Sequence, residues 1–184
     1  MNNCYLDAEA VITFFRITGR KHIFITGSRG SGKSYLVNNM LKHMSDSFNL
    51  LQSHRTDTPQ VVIKSNLVAD NKEFVIGLPR TSGINPASKG NNMTIIEDGF
   101  INCAIPAIDT HLDTTPERLF VIDELGYLES SCIPFQKAVE KLLDNSHVLA
   151  VIRKQSTEFL NRICNRRDVL VIDIDSTFET LSCI

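Results

Sequence analysis

Residues 27–34 read Gly27-Ser28-Arg29-Gly30-Ser31-Gly32-Lys33-Ser34 and fit the phosphate-binding pattern G-x-x-x-x-G-K-[ST]. The pattern is a statement of mechanism. Glycines let the backbone wrap tightly around a polyphosphate, so that successive N–H groups point inward. Lys33 has the reach to meet the β and γ phosphates, and the Ser34 hydroxyl suits a Mg²⁺ ion. The pattern also dictates its surroundings: a strand must lead into the loop and a helix must leave it, adding its positive end to the site.

Both flanks comply. His22-Ile23-Phe24-Ile25-Thr26 reads as a short buried strand. From Tyr35 to Met44, apolar residues at 36, 37, 40, 41 and 44 keep helical spacing. Residues 27–35, Tyr35 included, are therefore the candidate nucleotide-binding segment, with a nucleoside triphosphate such as ATP or GTP as ligand.

The second half of the chain sets strands against helices in alternation. Strands are expected at 118–124, 147–152 and 168–173, and helices at 134–143 and 157–164. Such alternation predicts an α/β fold, a mostly parallel sheet flanked by helices. Uninterrupted apolar strands agree, because parallel strands are covered on both faces. Ahead of the loop, residues 7–18 carry apolar side chains at 8, 11, 12, 14, 15 and 17, an amphipathic helix laid against the sheet. A helix is also expected from 95 to 110, with Pro106 near its end or at a kink.

The middle is different. Residues 45–60 are polar and read as loop, while 61–64 and 73–77 read as an antiparallel hairpin turning at Asp70-Asn71, at or off a sheet edge. Residues 79–94 hold Pro79, Gly83, Pro86 and Gly90, which is the chemistry of a long loop and suits a lid or, equally, a disordered excursion. The organisation expected is one domain over 1–184, with an N-terminal helix in 1–19 and a hairpin-and-loop insertion in 50–95.

Bulk properties exclude several classes. Nineteen basic and 21 acidic residues leave a net charge of −2, which gives no electrostatic footprint for nucleic acid. The longest apolar runs fall well short of a membrane span. The start, Met1-Asn2-Asn3-Cys4-Tyr5-Leu6-Asp7, lacks the charged and apolar stretches of a signal peptide. Five scattered cysteines without a CxxC pair fit reduced thiols, so the expected location is cytoplasmic.

A second motif completes the site. Leu119-Phe120-Val121-Ile122-Asp123-Glu124 is an apolar strand ending in two carboxylates, the form of a Walker B strand. Ligands sit at the carboxyl ends of parallel strands, so Asp123 is the expected partner of Ser34 in holding Mg²⁺. Glu124 is then placed to orient or deprotonate an attacking water. Lys33 joins it as a catalytic candidate, and Arg153, just past the 147–152 strand, is a candidate for sensing the γ-phosphate. Arg162, Arg166 and Arg167 read as a solvated helix end, with a nucleotide clamp as the alternative. His22, His54, His111 and His147 show no metal-ligand spacing, and Asp109 and Asp113 read as surface.

With both motifs in view, the chain resembles the small P-loop nucleoside-triphosphatases of the cancer-related type. That family pairs its P-loop with an Ile-Asp-Glu-Ile-Gly-Lys-Met-Glu segment; here it stands as Ile122-Asp123-Glu124-Leu125-Gly126-Tyr127-Leu128-Glu129. The resemblance implies a RecA-like core, a glutamate-activated water, and slow, base-tolerant hydrolysis of ATP, GTP and other nucleoside triphosphates. Tyr127 and Leu128 depart from the family's Lys and Met, Ser28-Arg29 from its frequent Pro-Pro, and residues 50–95 match poorly. An Mg²⁺-dependent nucleoside-triphosphatase is the leading reading. A nucleotide or small-molecule kinase on the same core is the alternative, as is a nucleotide-dependent switch signalling to a protein partner.

Overall fold

A computed structural model of the chain describes residues 7–44, 47–68, 72–80 and 93–176. Its centre is an eight-stranded sheet. The strands are β1 (His22–Gly27), β2 (Phe48–Arg55), β3 (Val61–Ser65), β4 (Phe74–Pro79), β5 (Met93–Ile95), β6 (Leu119–Leu125), β7 (His147–Arg153) and β8 (Val169–Asp173). They lie in the order β5-β4-β3-β2-β6-β7-β1-β8. From β2 to β8 every neighbouring pair is parallel, and from β2 outward to β5 every pair is antiparallel.

The parallel strands are apolar throughout because both faces are covered. Ile23, Ile25, Val121, Leu149 and Val151 point to one face, where they meet α1 (Ala8–Thr18) and α2 (Lys33–Met44) through Val11, Ile12, Leu36, Val37 and Met40. Phe24, Phe120, Ile122, Val148 and Ala150 point to the other. There they pack with α4 (Ile105–Thr114), α5 (Ile133–Asn145) and α6 (Glu158–Cys164) through Ile108, Phe135, Val139, Leu142, Phe159 and Ile163. The period-two alternation of each strand thus feeds two separate cores. Asp7 caps α1, its carboxylate accepting from the Ala10 N–H at 3.3 Å.

The mostly parallel sheet and its flanking helices agree with the sequence. So does the hairpin: β3 and β4 pair antiparallel toward the sheet edge. Its Asp70-Asn71 turn lies outside the described residues, as do residues 81–92 of the expected lid.

Two expectations need correction. The loop assigned to 45–60 contains a full strand, β2, parallel to β6 and antiparallel to β3. Polarity hid it. Asn49 is buried, yet its amide reaches His111 Nδ1 and Thr115 Oγ1, both at 2.8 Å, so the strand interior tolerates it. The helix placed at 95–110 begins later and runs further. Ile95 closes β5, α3 is a single turn (Glu97–Gly99), and a π-helical stretch, Phe100–Ala104, leads into α4. The wide turn leads into the first turn of α4, where Pro106 has no N–H to donate and a ring that would crowd a regular helical turn before it.

Candidate functional site

At the carboxyl end of β1 the chain turns through the glycine loop into α2. Gly30 and Gly32 take φ of 77° and 94°, where a side chain would be strained. Ser31 tightens the loop, its hydroxyl donating to the Ser28 carbonyl at 2.7 Å. The Leu36 N–H bonds the Gly32 carbonyl at 2.9 Å, so helix geometry starts within the motif. No acidic side chain stands in the first turn of α2, which leaves its positive end uncompensated. Lys33 folds over the loop, and its Nζ donates to the carbonyls of Gly27 and Ser28 at 2.9 and 2.8 Å.

A strap from β8 fixes the other side. Asp175 accepts from the Ser28 N–H at 2.7 Å and from its hydroxyl at 3.0 Å. Lys154 in turn bridges Asp173 and Asp175 at 2.8 and 3.1 Å. No role was expected of Asp175 or Lys154; the pairing of β8 with β1 is what carries Asp175 to the loop.

β7 lies between β1 and β6, so Asp123 ends a strand one removed from that of the P-loop, pointing the same way. Gln52 and Ser34 stand close enough to the Asp123 carboxylate to favour its charged form. Gln52 lies directly across from it on β2. Burial raises the Asp123 pKa above its usual value, with Glu124 adding to it, while Gln52, Lys33 and Ser34 pull the other way. The β6–β7 register then slips between Asp123 and Leu125, and the Glu124 side chain turns to the cavity wall. There it pairs with the Nε of Arg153 from the end of β7.

The turn after Glu124 is held from below. Glu129 is buried; its carboxylate accepts from the Gly126 N–H at 2.9 Å and from Ser53 Oγ at 3.2 Å. Burial raises its pKa. A Cβ on Gly126 would stand 2.8 Å from Cδ of Arg153, so the turn packs directly on the arginine that meets Glu124. Tyr127 and Leu128 do not line the cavity. They pack into the core, so these departures from the resemblance fall on packing.

An open cavity of about 770 Å³ joins these parts. Of the residues expected from sequence, Gly27, Ser28, Arg29, Gly30, Gly32, Lys33, Ser34, Tyr35, Glu124 and Arg153 line it. Ser31 and Asp123 are not part of that lining. Arg55, Lys154 and Gln155 line it as well and were not anticipated. Arg55 was hidden with β2, and Lys154 sits one step past the arginine that the sequence did single out. Among the described residues, five cations (Arg29, Lys33, Arg55, Arg153 and Lys154) thus face one acid, Glu124, in a chain of net charge −2. Such a basin attracts a compact polyanion.

Other candidates lie elsewhere. Arg162 pairs with Glu140 at 2.6 Å, and Arg166 with Asp144 and Asp168 at 2.8 and 2.9 Å. Asp109 binds Lys141 at 2.8 Å. Among the described residues no cluster of His, Cys, Asp and Glu has the form of a metal site. Cys103, Cys132 and Cys164 are free thiols. No helix among the described residues is long and apolar enough to cross a membrane.

A glycine loop between a parallel strand and a helix, with paired carboxylates on a strand one removed, defines a P-loop α/β protein. A family model described as NTPase matches residues 22–178, and the chain belongs to that family. It is 26% identical over 155 residues to "Nucleoside-triphosphatase THEP1" of Thermotoga sp. strain RQ2, covering 83% of this chain and 86% of the relative. It is 24% identical over 154 residues to the protein of the same name from Thermotoga maritima, with the same coverage. Among solved structures, THEP1 from Aquifex aeolicus superposes with a TM-score of 0.65 at 18% identity, covering 87% of this chain and 96% of that one. A human cancer-related nucleoside triphosphatase gives 0.60 at 19% identity, covering 89% and 96%. The shared architecture is the fold the two motifs demanded.

Proposed function

We propose that this protein hydrolyses nucleoside triphosphates, ATP and GTP among them, to the diphosphate and phosphate with Mg²⁺ as cofactor. The observation that carries the reading is the approach of Ser34, from the P-loop, to the half-buried Asp123 carboxylate at the end of the cavity that Lys33 lines. It brings a hydroxyl and a carboxylate from the two motifs within reach of one small ion. Both are hard oxygen donors, the set that suits Mg²⁺, so these residues fit the ion. Bound there, the ion would offset the negative charge of the phosphates as one of them is transferred.

The chain's own groups supply the rest. Loop N–H groups and the α2 terminus cradle the phosphates, and Lys33 leaves the Gly27 and Ser28 carbonyls to meet them. Glu124 accepts a proton from the attacking water as its oxygen bonds to the γ-phosphorus and the bond to the β–γ bridging oxygen breaks. Arg153 holds the Glu124 carboxylate and stands at the rim where γ-phosphate charge develops. The test is a panel of nucleoside triphosphates with Mg²⁺, scored for free phosphate without an added acceptor. Steady phosphate release supports the reading. Transfer only to an acceptor would make the protein a kinase, and binding without turnover would make it a switch.

A further inference from the structure

We propose that Arg55 is a further catalytic residue, an arginine supplied from within the chain that touches the γ-phosphate and stabilises the charge developing on it during transfer to water. The inference rests on the hydrolytic reading above. Three parallel neighbours, β2, β6 and β7, end together at the cavity. Glu124 leaves the middle strand, Arg153 ends the strand on one side, and Arg55 ends the strand on the other. The P-loop follows β1, beyond β7. Arg55 therefore reaches the cavity from the wall opposite the loop, across the space that the phosphates must fill.

Three other cations of the cavity already have work or partners. Lys33 belongs to the loop, Arg153 is paired with Glu124, and Lys154 is paired with Asp173 and Asp175. The Arg55 side chain has no hydrogen-bond or ion-pair partner among the described residues. Its backbone is nonetheless fixed. Arg55 pairs with Val61 of β3, and the turn beyond closes with Thr56 N–H on the Gln60 carbonyl at 3.1 Å. A guanidinium with free donors on an anchored strand end, aimed into an anion cavity, is the arrangement that stabilises an equatorial phosphoryl oxygen. Arg29 is also uncommitted but rides on the loop itself, on the near wall.

The experiment compares the parent chain with Arg55→Ala and Arg55→Lys. Phosphate release, triphosphate affinity, and binding of nucleoside diphosphate with Mg²⁺ and aluminium fluoride, a mimic of the transferring phosphoryl group, are measured on each. Removing one transition-state donor costs about 10²–10³-fold in kcat. Arg55→Ala should lose that much, keep triphosphate affinity within a few-fold, and fail to trap the aluminium fluoride complex. Arg55→Lys should fall between, since it keeps the charge but not the fork. The inference is overturned if Arg55→Ala turns over at the parental rate, or if its defect is a loss of triphosphate affinity with kcat unchanged. A parent that releases no phosphate from any nucleotide overturns the hydrolytic reading itself, a result distinct from either.

Discussion

At the residue scale, the proposed function separates groups that bind from groups that act. Lys33 is half-buried and its amine touches only loop carbonyls, so the fold does not depend on it. Lys33→Ala should abolish tight triphosphate binding while leaving the circular dichroism spectrum and unfolding midpoint in place. Equal affinity in parent and variant would remove the P-loop assignment. Glu124 calls for the opposite outcome. Glu124→Gln keeps the shape but cannot accept a proton, and losing general-base help costs about 10²–10⁴-fold. We expect kcat to fall on that scale with affinity kept or slightly raised, since one negative charge leaves the cavity. A variant that hydrolyses at the parental rate would make Glu124 structural. Asp123→Asn should differ from both. Its carboxylate is the anionic half of the pair with Ser34, so the concentration of Mg²⁺ needed for half-maximal rate should rise along with the loss of rate.

At the element scale, what was legible depended on where polarity stood. The apolar strands β1, β6, β7 and β8 and their helices read directly, because burial on both faces leaves a continuous apolar run. β2 did not. Its interior holds Asn49, Gln52 and Ser53, each set against a partner far away in sequence: Asn49 on His111 and Thr115, Gln52 across from Asp123, and Ser53 on Glu129. A single sequence shows the polar residue and not the partner, so the strand looked like loop, and Arg55 was lost with it. Glu129 shows the same effect at a turn. It was visible as the end of the Ile122-to-Glu129 motif, yet its task is to hold the Gly126 N–H and Ser53. Glu129→Ala should leave the buried Gly126 N–H unpaired, a cost of about 1–3 kcal/mol in urea unfolding. Its kcat should drop too, because the same turn packs against Arg153. Unchanged stability would mean that the turn holds itself.

For the whole molecule, the end of the sheet away from the nucleotide cavity decides behaviour in acid. His22 starts β1 and is fully buried. Its Nδ1 accepts from the Val148 N–H at 3.2 Å, which ties β1 to β7 and requires that nitrogen to stay unprotonated. Burial lowers its pKa to about 4; Lys21 and Arg166 push the same way, and Asp168 opposes them. The unfolded chain takes up a proton near pH 6.5, whereas the folded one resists until about 4. Between those values the unfolded state binds more protons, so stability rises with pH and is lost as pH falls. The full difference corresponds to about 3 kcal/mol. Asp168 adds to the loss only lower down, since Arg166 first and His22 in part hold its pKa at about 2. Unfolding free energy should therefore decline from pH 7 to pH 4. His22→Asn places an amide oxygen near Nδ1, able to accept from Val148, and removes the titration. The decline should be shallower in that variant by most of the histidine's share. Parallel pH profiles for parent and His22→Asn would show that His22 ionises as freely in the fold as outside it, and would move the acid sensitivity to the carboxylates.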